Sequence, residues 1–277
     1  MGEPSYTSVS GARKPRGARL KVPTFGAAVP AAMWIGRSLL VVVAAVIWEI
    51  LSDKKLINSL FFGSPLGIVA SLKAGLFVSR YLLLPLMWTL VGTTAAFGLG
   101  SAAGIGCGLL FAISPNLGRF FDPFVMAFNA LPRIALAPLF IMWFGLGLAS
   151  KTAVGFSLCF VILLSSTVAG TRSIDPDLQL LARTLGASTT QTFFRITLPG
   201  AVPTIFSGLR LGLIYSLLGV VSSEIIGSVN GLGVQLSQDA GTFNTNGVFA
   251  VLVLLMVLAS LLTWGMSLLE DWLLRWR

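Results

Sequence analysis

A chain of 277 residues with 55% hydrophobic and only 10% charged side chains has too few charges to cover a water-exposed surface, for which about 25% is usual. Most of its surface must face lipid, which excludes a soluble domain. The net charge of +9 does not point to nucleic acid, because the basic residues flank apolar segments, where anionic lipid accounts for them.

Residues 1–32 are polar, basic and rich in Gly, Pro and Ser, and read as a disordered cytoplasmic arm. A secretory signal is excluded by the length of the basic stretch and the lack of a small-residue cleavage site after the first apolar segment. Residues 33–277 then form one membrane domain. Charges are absent from Tyr81 to Gly118, from Thr152 to Thr171 and from Ala240 to Leu269, stretches long enough for a helix of about 20 residues to cross a bilayer. The apolar runs are unbroken, which argues for helices over a barrel with alternating faces. The predicted spans are Met33–Leu51, Met87–Ile113, Pro123–Leu146 (interrupted by Arg133), Thr152–Gly170, Thr204–Ile226 and Val248–Leu269. The fold class is therefore all-α membrane protein with about six transmembrane helices. Trp34, Trp48, Trp264 and Trp272 lie near span ends, as interfacial anchors do.

The basic residues orient the chain. With the N-terminus inside, inner segments and helix starts hold Arg13, Lys14, Arg16, Arg19, Lys21, Arg37, Arg119, Arg172, Arg183, Arg195, Arg210, Arg275 and Arg277. Outer segments hold Lys54, Lys55, Lys73, Arg80 and Lys151. Both termini are placed in the cytoplasm.

Histidine is absent from the sequence, which excludes His-based metal sites and general bases. Cys107 and Cys159 lie inside apolar spans and read as packing residues. Gly100, Gly104 and Gly108 recur at a spacing that lines one helix face for close approach of a neighbour. No Gly-rich phosphate loop with a lysine occurs. No catalytic or metal-binding residue is assigned.

The loop from about Thr171 to Pro203 carries the most information. Asp175, Pro176 and Asp177 form a helix start. Leu178, Leu181, Ala182 and Leu185 follow at helical spacing, and Gly186 ends that helix. Ser188 and Gln191 have the spacing of a capping box. Phe193, Phe194, Ile196 and Leu198 supply a second apolar face, and Pro199 and Pro203 are expected to stop or redirect the chain. Two short helices would project an apolar surface that either docks in a partner's groove or folds back on its own bundle.

Ala182-Arg183-Thr184-Leu185-Gly186-Ala187-Ser188, followed by Ile196-Thr197-Leu198-Pro199, resembles the cytoplasmic signature of bacterial ABC-importer permeases. That signature is Glu-Ala-Ala, three residues, Gly, nine residues, Ile, one residue, Leu-Pro. Leu131-Pro132-Arg133-Ile134-Ala135-Leu136-Ala137-Pro138-Leu139, Trp143-Phe144-Gly145-Leu146-Gly147, Gly208-Leu209-Arg210, Glu224 and Gly231-Leu232-Gly233 are similar to the nitrate/sulfonate/taurine branch. Leu180-Leu181-Ala182 replaces Glu-Ala-Ala, so a salt bridge from that acid is not expected.

The resemblance implies a type I ABC-importer permease fold in a bacterial inner membrane. It implies a pathway built by two permease copies, an extracytoplasmic substrate-binding protein, and a cytoplasmic ATP-binding subunit that holds the ATP, with no cofactor in this chain. It also implies that Ala182, Gly186, Ala187, Ile196, Leu198 and Pro199 belong to an ATPase-coupling loop. The substrate would be a small solute of the nitrate, sulfonate or taurine kind, with bicarbonate and neutral pyrimidine precursors also handled by such systems.

Pro132, Arg133, Pro138 and Glu224 are candidate pathway residues. A charge deep in a span should face protein or water, and the Arg133 donors suit an oxyanion. The other reading of Arg133 is a structural arginine bonded to carbonyls at a kink. Glu224 is placed near the outer end of its span, with a structural role favoured over gating or partner contact. Glu49 is left unassigned, and Gly227 to Gly247 reads as an external loop with a possible re-entrant turn. An intramembrane enzyme lacks a polar cluster among Arg133, Glu49 and Glu224. An ion-coupled secondary transporter or channel is the alternative function, but it would show internal repeats and leave the apolar loop without purpose.

Overall fold

The computed structural model describes residues 31–273, and every regular element among them is helical. The order is α1 (Ala31–Asp53), α2 (Ser59–Phe62), α3 (Pro65–Lys73), α4 (Leu83–Ile113), α5 (Pro115–Ala130), α6 (Ala137–Phe144), α7 (Leu148–Arg172), α8 (Pro176–Thr184), α9 (Thr189–Thr192), α10 (Leu198–Ile226), α11 (Leu232–Gly241) and α12 (Thr245–Leu273). The arm expected over residues 1–32 lies outside the described residues up to residue 30; Ala31 and Ala32 open α1. Two compact units divide within α1, between Val46 and Ile47. In the first, α1 is predominantly apolar, with Arg37 and Ser38 as exceptions, as suits a helix in lipid.

α1, α4, α7, α12 and the continuous helix Thr189–Ile226 are long and apolar enough to cross a membrane. The third predicted span is different. It is two helices, α5 and α6, bent by 84° at a short break. Pro132 explains the break: its ring disfavours helical backbone in the residue before it, and Leu131 is extended at φ −77°, ψ 128°. A 3-10 turn over Arg133–Leu136 follows, and Pro138 sits in the first turn of α6, where no N–H is needed.

The fifth span departs the other way. Pro199 and Pro203 do not stop the chain, and α9 runs on into α10. A π turn over Phe193–Thr197 joins them, with the Leu198 N–H bonded to the Phe193 carbonyl. The shifted register puts Pro199 in the first turn of α10, while Pro203 is carried inside it.

α7 is the centre of the bundle. A Cβ on Gly100, Gly104 or Gly108 of α4 would lie 2.7 Å from Cys159 Cβ, 2.7 Å from Leu163 Cβ or 2.6 Å from Thr167 Cβ. The glycine stripe is thus a close helix contact, and its rising register makes α4 and α7 parallel. On the other side, Gly208 meets Ser166 and Gly219 meets Gly155, so α10 runs antiparallel to α7. Cys159 is buried in the first contact, and both cysteines are free.

Candidate functional site

Both ends of α7 carry organised structure. At its C-terminal end, α8 and α9 form a capped hairpin. The Asp175 side chain accepts the Asp177 N–H at 2.9 Å, with Pro176 as the first helical residue. At the other end of α8 the Ala187 N–H reaches the Ala182 carbonyl and the Gly186 N–H the Arg183 carbonyl, both at 3.0 Å. That double bond pattern is a Schellman motif, and Gly186 takes the left-handed backbone it requires, at φ 86°. Ser188 and Gln191 then form both halves of a capping box, at 2.9 and 3.2 Å.

These caps fix which side chains stand free. Ala182 is buried at 6% exposure, and Ile196 and Leu198 are half-buried. Leu178, Leu181 and Leu185 are exposed at 51%, 55% and 79%, a row at helical spacing along α8 and its C-cap residue. Leu180 and Phe194 are exposed as well. Pro199 is half-buried, Gly186 is open to space, and Ala187 is half-buried in the turn.

At the far end, roughly 30 Å along α7 by helical rise, lies a buried ionic network. Lys151 Nζ lies 2.7 Å from Glu224 Oε1, with side-chain exposures of 2% and 0%. The same ammonium donates to the Asn230 carbonyl at 2.9 Å and stands 5.9 Å over the Trp88 ring. The Thr89 hydroxyl donates to the carboxylate, 3.0 and 2.9 Å from its two oxygens, and accepts the Leu232 N–H at 2.9 Å. The Gly233 N–H donates to Glu224 Oε2 at 3.0 Å. One carboxylate therefore ties α4, α7 and α10 to the start of α11. Glu224 faces these partners and makes no hydrogen bond or ion pair with the other three candidate pathway residues. Lys151, placed by the sequence reading among the outer loop charges, is instead its buried counter-ion.

Pro132, Arg133 and Pro138 lie together at the α5–α6 bend. Arg133 is not inside a continuous helix. Its Nε donates to the Phe128 carbonyl at 3.2 Å and its Nη2 to Asn129 Oδ1 at 3.0 Å, so it covers the open C-terminal end of α5. Glu49 accepts the Leu66 N–H at 3.0 Å, a carboxylate at the start of α3. The Gly227–Gly247 segment contains α11, where Asp239 accepts from Gln235 and Asn244 at 3.2 and 3.0 Å. Arg210, well within α10, pairs with Glu270 of α12. α7 begins four residues earlier than the sequence predicts, at Leu148, which carries Lys151 into the helix. Arg210 carried a usable signal, since a charge inside an apolar span needs a partner.

Five helices long and apolar enough to cross a membrane among the described residues, or six with the bent pair counted as one, and an apolar capped hairpin between two of them are features of a transport subunit. Residues 100–275 match the family model described as binding-protein-dependent transport system inner membrane component. The chain belongs to that family. Its relatives include an aliphatic sulfonates transport permease of Bacillus subtilis, 32% identical over 88% of each chain. The taurine transport system permease of Escherichia coli is 31% identical over 83% of this chain and 85% of its own. A formylaminopyrimidine transport permease of Halalkalibacterium halodurans is 31% identical over 84% of this chain and 92% of its own. Among solved structures, the methionine ABC transporter MetNI in an inward-facing form matches with a TM-score of 0.60 at 21% identity, over 68% of this chain and 94% of that one. That likeness establishes a shared fold. This ABC-importer permease is a multi-pass protein of the inner membrane, and both the hairpin and the buried pair lie inside the region matched to its family.

Proposed function

We propose that two copies of this permease form the pathway for a small sulfonate-type anion, driven by a cytoplasmic ATP-binding subunit and fed by a substrate-binding protein on the opposite face. The observation that carries this reading is the hairpin. Its caps hold α8 and α9 as a stiff unit, while Leu178, Leu181 and Leu185 stand free in a row. An apolar row of this kind on a rigid lever suits insertion into a groove on a partner. The hairpin and both termini are placed in the cytoplasm, following the basic residues. The substrate class follows the names of the sulfonate and taurine relatives. The motif residues Ala182, Gly186, Ala187, Ile196, Leu198 and Pro199 then shape the lever, and the exposed leucines make the contact. ATP is held by the partner subunit, and closing of the ATP-binding pair favours one of two permease states through differential contacts. Pro132, Arg133 and Pro138 form a bend with guanidinium donors to spare, suited to the pathway wall. Glu224, enclosed within one copy, braces the far end instead.

The test is co-purification from membranes of the tagged permease with its genetically neighbouring ATP-binding subunit. The partner should be retained by wild type and lost from Leu181→Asp/Leu185→Asp. Retention by that variant would refute the docking reading.

A further inference from the structure

We infer that the hairpin side of this permease holds a binding site for a tetrahedral oxyanion of the phosphate or sulfate class. A cavity of about 670 Å³ opens between the C-terminal end of α4, α5, the C-terminal end of α7 and the hairpin. Three arginines reach it from three separate elements: Arg119 from α5, Arg172 from α7 and Arg183 from α8. One carboxylate, Asp122, faces them, 3.6 Å from Arg172. Three cations less one anion leaves a formal excess of two positive charges around one cavity. Arg119 and Arg183 make no ion pair among the described residues.

Arginines lining one cavity from different helices offer forked donors that match the oxygens of a tetrahedral anion, and several such groups can share its charge. Thr190 also lines the cavity and carries a hydroxyl that can donate. The volume is many times that of one water, about 30 Å³, so an oxyanion enters with water or with a larger group attached. Phe111, Ile113 and Phe194 also line the cavity, which suits the acyl chain of a phospholipid. The shared chemistry therefore has two sources, a free oxyanion or the phosphate of an anionic headgroup. A bound anion would bridge Arg183 on the hairpin to Arg119 and Arg172 on the bundle, and so brace the lever. Binding itself is independent of the import reading; its consequence for coupling rests on that reading.

The full chain is placed in nanodiscs of zwitterionic lipid, and equilibrium binding of radiolabelled phosphate and sulfate is measured against chloride at constant ionic strength. Hydrogen exchange of residues 176–197 is followed in the same discs and in discs containing phosphatidylglycerol. Saturable binding, weakened about tenfold in Arg183→Gln and in Arg119→Gln but retained in Arg195→Gln, supports the site with a free anion as occupant. Hairpin protection by phosphatidylglycerol alone, lost in the same two variants, supports the site with lipid as occupant. Neither effect in wild type, or equal loss in Arg195→Gln, overturns it. Binding that persists when no ATP-binding subunit co-purifies refutes the docking reading and leaves the site standing.

Discussion

A Cβ placed on Gly231 would fall 2.0 Å from the Glu224 carboxyl carbon. Gly231 also turns the chain at φ 137°, a backbone that side chains disfavour. The turn presents the Asn230 carbonyl to Lys151, the Leu232 N–H to Thr89 and the Gly233 N–H to Glu224. Gly231→Ala must therefore disturb both the backbone and the network. It should lower stability by 2 kcal/mol or more, roughly the sum of strain and overpacking. Thermal unfolding in detergent, followed by size-exclusion, reads this. Gly106→Ala, whose added methyl meets nothing within 4 Å, should hold or slightly raise the midpoint, because alanine favours a helix interior over glycine.

The network shows what the sequence could and could not reveal. Glu224 and Gly231-Leu232-Gly233 stood out together as motif residues, and the structure gives the physical link: the glycines admit the carboxylate. The glycine stripe of α4 and the caps at Asp175, Gly186 and Ser188 were equally legible, because spacing along one helix or turn encodes them. Lys151 was not, because its partner lies 73 positions away and local patterning carries no information about distant pairing. The α5–α6 bend was half legible. Two prolines announced a disturbance, but the 84° angle depends on how α6 packs against α7. The passage through Pro199 is not legible, because the π turn over Phe193–Thr197 leaves no sequence mark of its own.

The Lys151–Glu224 pair should behave as a coupled unit. Removing one partner leaves a buried charge uncompensated, at a cost of about 3–5 kcal/mol. Lys151→Met and Glu224→Gln should each depress the unfolding midpoint sharply. Lys151→Met/Glu224→Leu should be less damaging than the sum of the single changes, because no charge is then stranded. A double-mutant cycle from equilibrium unfolding measures the difference. Strict additivity would mean that the two side chains act independently, against the 2.7 Å contact.

Close approach of α4 to α7 makes a sharper test of packing. Gly104 has the Phe160 carbonyl 2.6 Å from a notional Cβ, so backbone, and not a mobile side chain, blocks the space. Gly104→Leu should force the helices apart and reduce the yield of monodisperse protein several-fold, through overpacking of about 1–3 kcal/mol or more. Gly98→Leu, on the same helix but facing open space, should express like wild type. Fluorescence-detected size-exclusion of tagged variants compares the two directly.

The hairpin is predicted to loosen locally without unfolding the bundle. Gly186 has open space around it, so Gly186→Ala is opposed by backbone conformation alone, at about 1 kcal/mol. Ser188→Ala removes an acceptor for the Gln191 N–H, again at about 1 kcal/mol. Both losses fall on a segment joined to the bundle through the π turn at Phe193–Thr197, where helix register is already shifted. Hydrogen exchange over residues 185–192 should rise about fivefold in each variant, as a 1 kcal/mol change in local opening requires, while amides of α4 and α7 keep their protection. If the hairpin is the lever, the same variants should retain the ATP-binding partner yet transport less per ATP consumed, because a softer lever transmits less of the motion. Equal loosening across α7 and α10 would show instead that the hairpin and bundle open as one cooperative unit.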